Sequence, residues 1–122
     1  MSGHVLVVDD DPDIRGLLVA ILQGEGWTVA TATNGEEALA RIAADRPRLV
    51  LLDLSMPRMS GWEVLATLQA DQISVPVIVM TAGTRAYDAA AAMHAAGALS
   101  KPFELDDLLT IVARCTGRPD RT

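Results

Sequence analysis

Six side chains capable of chemistry stand where apolar runs end. Val5–Val8 leads into Asp9, Asp10 and Asp11, Leu49–Leu52 into Asp53, Val77–Met80 into Thr81, and the short run Ala98–Ser100 into Lys101. In an open parallel sheet the carboxyl ends of the strands share one edge, and ligands bind there. Carboxylates, a hydroxyl and an ammonium distant in sequence are therefore expected to converge. That set suits phosphoryl transfer. A carboxylate can attack phosphorus to form an acyl phosphate, and the remaining task is positioning and charge neutralisation. Asp53 is the best candidate acceptor. Lys101 offers a point charge for one phosphoryl oxygen, and Thr81 a hydroxyl donor for another.

Bringing Asp9, Asp10 and Asp53 together is costly. Two unit charges 4 Å apart repel by about 4 kcal/mol at an effective dielectric of 20. A cation or raised pKa values must relieve this. Mg²⁺ favours a few carboxylates with water and phosphate oxygen, and Mn²⁺ is an alternative. Asp11 reads differently: it precedes Pro12, as a helix N-cap precedes proline at the first helical position. Pro102 stops strand pairing after Lys101, and a cis bond there would turn Lys101 into the site.

The elements that must position these groups are legible. Strands are predicted at His4–Asp9, Thr28–Ala32, Leu49–Asp53, Val77–Thr81 and Ala98–Ser100. Ile14, Leu17, Leu18, Ile21 and Leu22 recur at helical spacing, and Gly24 and Gly26 end that helix. Asn34 with Glu37 forms a capping box for a helix reaching Ala44. Further helices are predicted at 61–70, with Gly61, Val64, Leu65 and Leu68 inward, at Ala-rich 87–95, and at 104–116, with Leu105, Leu108, Leu109 and Val112 inward. Five strands alternating with five helices define an α/β, doubly wound parallel sheet with helices on both faces.

The 122 residues suit one domain, read as 1–117 with a short polar tail at 118–122 and no output domain. A net charge of −6 disfavours nucleic-acid binding. The single Cys115 excludes an internal disulfide and reads as a packing residue. No apolar run reaches the ~18 residues of a membrane span, and the N-terminus lacks signal-peptide character. A cytoplasmic location without membrane contact is expected. His4 and His94 read as surface or edge residues, and Trp27 and Trp62 as packing anchors.

With these residues in place, the chain resembles the receiver domain of bacterial two-component response regulators, of the stand-alone, chemotaxis-regulator-like kind. Val7-Val8-Asp9-Asp10-Asp11, Asp53-Leu54-Ser55-Met56-Pro57 with Gly61, Thr81-Ala82 and Lys101-Pro102-Phe103 carry the resemblance. It implies a flavodoxin-like strand order 2-1-3-4-5. It implies that Asp53 accepts a phosphoryl group from a sensor histidine kinase or phosphotransfer protein in a Mg²⁺-dependent phosphorelay. Asp10, Asp53 and the Ser55 main-chain carbonyl would contact the metal, Asp9 would act through water, and Thr81 and Lys101 would hold the phosphoryl group. Such a domain is no enzyme beyond slow autodephosphorylation. It signals through protein–protein contacts with a downstream protein on the face of the fourth helix, fifth strand and fifth helix.

The sequence departs from this pattern where the family usually carries an aromatic switch residue, three positions before the lysine. Ala98 stands there, and the segment entering the fifth strand, around Ala96–Ala98, is shorter than usual. Ser55 and Gly83 occupy two positions that tune dephosphorylation. Neither has a side chain long enough to orient an attacking water, so a long-lived phosphoryl group is expected.

Two other readings fit parts of the sequence. A haloacid-dehalogenase-type phosphatase would use Asp9 as nucleophile, Asp11 as acid, and Thr81 and Lys101 as supports. It leaves Asp53-x-x-Met-Pro unexplained, and it needs Asp11 as an acid beside Pro12. A receiver-fold adaptor that binds partners without phosphorylation accommodates Ala98, but has no use for the intact Asp9, Asp10, Asp53, Thr81 and Lys101.

Overall fold

A computed structural model describes residues 3–82, 88, 90–92 and 94–117. The chain runs β1 (His4–Val8), α1 (Pro12–Gly24), β2 (Thr28–Ala32), α2 (Gly35–Ala44), β3 (Leu49–Asp53), α3 (Gly61–Ala70), β4 (Val77–Ala82), β5 (Gly97–Lys101) and a C-terminal helix, Leu105–Thr116. Residues 88 and 90–92 are helical. The rest of the expected fourth helix outside 94–95, Gly83, Tyr87 and the tail at 118–122 lie outside the described residues. The strands pair in parallel in the order β2-β1-β3-β4-β5, the order expected.

Strand alternation divides the core in two. Leu6, Val8, Val50, Leu52 and Val79 face Ala38 and Ile42 of α2 and Val64, Leu65 and Leu68 of α3. Val5, Val7, Leu49, Leu51, Ile78 and Met80 face Leu18 and Leu22 of α1 and Leu108 and Val112 of the C-terminal helix. With both faces covered, every residue of β1 and β3 is buried, which is why these strands read as unbroken apolar runs.

The caps follow local chemistry, with one variation. The Asp11 carboxylate accepts from the Asp13 N–H at 2.9 Å, and Asn34 Oδ1 accepts from the Glu37 N–H at 2.8 Å. Glu37 reaches one residue further back than a capping box requires: its Oε1 accepts from the Thr33 N–H at 2.7 Å and hydroxyl at 3.0 Å. The Thr33 backbone bond is the main reason the Glu37 carboxyl titrates below its usual range.

Four side chains sit differently from expectation. Leu17 and Leu105 are 55% and 51% exposed, because each lies to the side of the stripe its helix turns to the sheet. Trp62 is 37% exposed on the first turn of α3, so it anchors little, whereas Trp27 is buried as expected. His4 is buried rather than superficial, since it is the first residue of β1, an interior strand flanked by β2 and β3. Cys115 is partly buried against the α1-side core, in the packing role expected. No helix among the described residues is long and apolar enough to cross a membrane.

Leu52 is fully buried between β3 and the α2–α3 layer. Leu52→Ala is expected to lower unfolding stability by roughly 3–4 kcal/mol, measurable by urea denaturation as a lower midpoint with an unchanged slope.

Candidate functional site

From β1 the chain winds outward to β2, then crosses to β3 on the other side. Its winding thus reverses between β1 and β3, where side chains from both strand ends open into one crevice. Asp53 ends β3, and Asp9 and Asp10 follow β1. The three offer carboxylate oxygens all within 4.8 Å of one another, a set that could hold a metal ion. Asp9 is fully buried, Asp53 is 3% exposed, and Asp10 faces solvent. Hard oxygen donors at this spacing, with one open to water, fit Mg²⁺.

Backbone amides fix the carboxylates. The Asp11 N–H donates to Asp9 Oδ1 at 2.9 Å, and the Ser55 N–H to Asp53 Oδ1 at 3.1 Å. Lys101 arrives from β5, and the peptide bond to Pro102 is cis, as anticipated. Its Nζ lies 2.9 Å from Asp9 Oδ2 and 3.6 Å from Asp53 Oδ2, so one ammonium bridges both buried carboxylates. A cavity of about 340 Å³ is lined by Asp9, Asp10, Asp11, Asp53, Ser55, Thr81, Ala82 and Lys101. The expected metal and phosphoryl residues Asp9, Asp10, Asp53, Ser55, Thr81 and Lys101 therefore line one cavity. Asp11 both caps α1 and lines the rim.

Burial pushes the Asp53 carboxyl from an ordinary 3.8 up to about 6, with Asp9 and Asp10 adding to the rise and the Ser55 N–H and Lys101 opposing it. Between these two values the folded chain keeps a proton that the unfolded chain releases. Asp53 therefore contributes stability at low pH that is lost as pH rises through about 6.

Sequence reasoning missed two supports. Arg15 Nη1 donates to the Asp9 carbonyl at 2.8 Å. Side chains lean toward the N-terminus of their helix, so an arginine in the first turn after Asp11 could have been assigned to the end of β1. The sequence marks Gly61 as a motif residue and as part of the inward side of its helix, but not as a contact with the strand that carries Asp53. A Cβ there would collide with the Asp53 carbonyl and lie 2.7 Å from Leu54 Cα, so only glycine lets α3 start against the strand that carries Asp53. Gly35 plays a similar part for α2, where a Cβ would come within 2.7 Å of Met59 Cγ in the loop after Asp53.

The doubly wound fold with acidic residues at its switch point defines a class of α/β domain whose crevice could hold a metal ion. Comparison with known proteins names the family. The response regulator receiver domain model matches residues 5–113, and the chain belongs to that family, a signalling family of two-component systems. It is 40% identical over 119 residues to the nitrogen assimilation regulatory protein NtrX of Azorhizobium caulinodans, covering 93% of this chain and 26% of that protein. It is 41% identical over 111 residues to the response regulator MprA of Mycobacterium ulcerans, covering 89% and 48%. The chain thus spans between about a quarter and a half of these curated relatives. Among solved structures, the receiver domain of NtrX from Brucella abortus superposes with a TM-score of 0.86 at 32% identity, covering 93% of this chain and 98% of that one. The response regulator TrrA of Thermotoga maritima, in complex with Mg²⁺-BeF, superposes with a TM-score of 0.84 at 36% identity and the same coverage.

Two outcomes are expected. Without divalent cations, Asp53→Asn should stabilise the chain at about pH 7.5 by on the order of 2 kcal/mol, a gain that shrinks toward about pH 4. Thermal melts across that range check it. Mg²⁺ should raise the wild-type midpoint more at about pH 7.5 than at about pH 5, and raise that of Asp53→Asn less.

Proposed function

We propose that Asp53 accepts a phosphoryl group from the phosphohistidine of a sensor histidine kinase or phosphotransfer protein. The convergence of Asp9, Asp10, Asp53, Thr81 and Lys101 on one crevice carries this reading. A carboxylate oxygen of Asp53 attacks phosphorus, the phosphorus–nitrogen bond breaks, and the imidazole leaves with the bonding pair. The product is an acyl phosphate. Asp10, Asp53 and the Ser55 main-chain carbonyl would hold Mg²⁺, with Asp9 acting through water. The ion supplies charge neutralisation for the phosphoryl oxygens.

The residues of the chain do the rest. Asp53 must be ionised to attack, and Lys101, 3.6 Å away, favours that form. As negative charge arrives on the phosphoryl oxygens, the Lys101 ammonium can exchange part of its contact with Asp9 and Asp53 for one of them. Thr81, at the end of β4, donates its hydroxyl to another oxygen. Ser55 helps line the cavity but its side chain is too short to position a water, so the acyl phosphate is long-lived for its class. Output passes to a partner protein through the face that includes β5 and the C-terminal helix, where Ala98–Ser100, Phe103 and Ile111 help line a cavity of about 380 Å³.

Incubation with acetyl phosphate and Mg²⁺, followed by peptide mapping, tests this. Label is expected on Asp53 alone, absent from Asp53→Asn and formed more slowly in Lys101→Ala by on the order of a hundredfold. Label turning over through Asp9 would instead indicate a phosphatase, and no label at all an adaptor. Hydrolysis of the wild-type acyl phosphate at the fast end of receiver behaviour would overturn its assigned long life.

A further inference from the structure

We propose that Ser100 is a positioning residue for Thr81, completing a relay in which the Ser100 hydroxyl donates to Thr81 and Thr81 donates to the phosphoryl group. The inference rests on the reading of Thr81 as a phosphoryl ligand and extends it one strand outward.

The placement follows from strand register. Residues paired across β4 and β5 share a face: Val79 and Ala98 both join the α2–α3 side of the core, while Met80 and Leu99 both join the α1 side. The next pair, Thr81 and Ser100, returns to the face of Val79 and Ala98. Thr81 lines the crevice, and Ser100 sits beside it on the strand farther from Asp53.

Ser100 Oγ is buried and has no hydrogen-bond partner among the described residues. A buried hydroxyl without a partner is destabilising, and such orphans in a folded chain mark a strained or functional place. The group beside it has the matching capacity. A hydroxyl carries one donor and two acceptor positions. When Thr81 commits its proton to a phosphoryl oxygen, the rotation of its hydroxyl is fixed and its Oγ1 lone pairs are held in place to accept from Ser100. Donation to an anion also polarises the Thr81 hydroxyl and strengthens the bond it accepts. The phosphorylated state thus gives Ser100 the partner it otherwise lacks.

The same strand segment carries the effect outward. Ala98, two residues earlier, places only a methyl on this face, in the core cluster against which Ala90 and Ala95 also pack, so no ring there can follow Thr81. Residues 98–100 also form one wall of the cavity shared with Phe103, Ile111 and Arg114. A hydroxyl pair then does what a moving aromatic side chain would otherwise do: it ties the state of Thr81 to the β5 edge.

The test uses the full chain with Mg²⁺ alone, then with beryllofluoride at saturating Mg²⁺, following binding by calorimetry. Ser100→Ala is expected to leave Mg²⁺ affinity unchanged and weaken beryllofluoride binding by roughly three- to tenfold, the worth of one neutral hydrogen bond. It should also raise the melting temperature of the ligand-free chain, since the orphan hydroxyl is gone. Ser100→Thr should restore beryllofluoride affinity. In a Thr81→Ala background, Ser100→Ala should have no further effect. Unchanged beryllofluoride affinity in Ser100→Ala, or an equal loss with and without Thr81, overturns the relay. Failure of the wild-type chain to bind beryllofluoride at all overturns the reading of the whole site, and with it the relay.

Discussion

Three carboxylates meet at the ends of two adjacent strands, two of them buried, and the rest of the structure is arranged around their repulsion. Lys101 relieves part of it by bridging Asp9 and Asp53. Backbone amides from Asp11 and Ser55 relieve another part. What remains is visible as the raised pKa of Asp53. A site under such tension favours a bound cation, which would offset the repulsion. The same crowding that weakens the ligand-free fold therefore favours the cation proposed for the site.

The architecture makes this crowding possible by holding the strand ends rigidly. β1 and β3 are buried on both faces, so neither can splay to separate its terminal carboxylates. Gly61 lets α3 begin against the Asp53 carbonyl, and Arg15 ties α1 to the Asp9 carbonyl. The helices flanking the site thus act on its backbone, and the side chains inherit their positions.

The β5 side is built differently. Lys101 is delivered with its cis bond to Pro102, yet the strand that delivers it carries Gly97 and Ser100 and, where the family usually has an aromatic residue, Ala98. A Cβ at Gly97 would come within 2.6 Å of Ile111 Cδ1, so the glycine lets the C-terminal helix pack closely on β5. Small residues draw that helix onto β5. They also leave a hydroxyl, in place of a ring, as the group next to Thr81.

Much of this was legible in the sequence because the signals are local. Apolar runs, turn residues and caps depend on neighbours a few positions away, so β2, α2, β3 and α3 were read at their observed bounds and the chemical residues were correctly placed at strand ends. The parallel order followed from alternation of strands and helices together with the family resemblance. Other features depend on which distant segments come into contact. Helical spacing placed Leu17 and Leu105 inward, but each lies to the side of the stripe its helix turns to the sheet. The burial of His4, the exposure of Trp62 and the reach of Arg15 to Asp9 are likewise set by packing between elements. So is the orphaned hydroxyl of Ser100, which becomes conspicuous only once β5 is laid in register beside β4. The chain by itself determined which groups stand at the edge of the sheet. Only the tertiary structure decided which of them are buried, paired or left without a partner, because desolvation and pairing are properties of the assembled core.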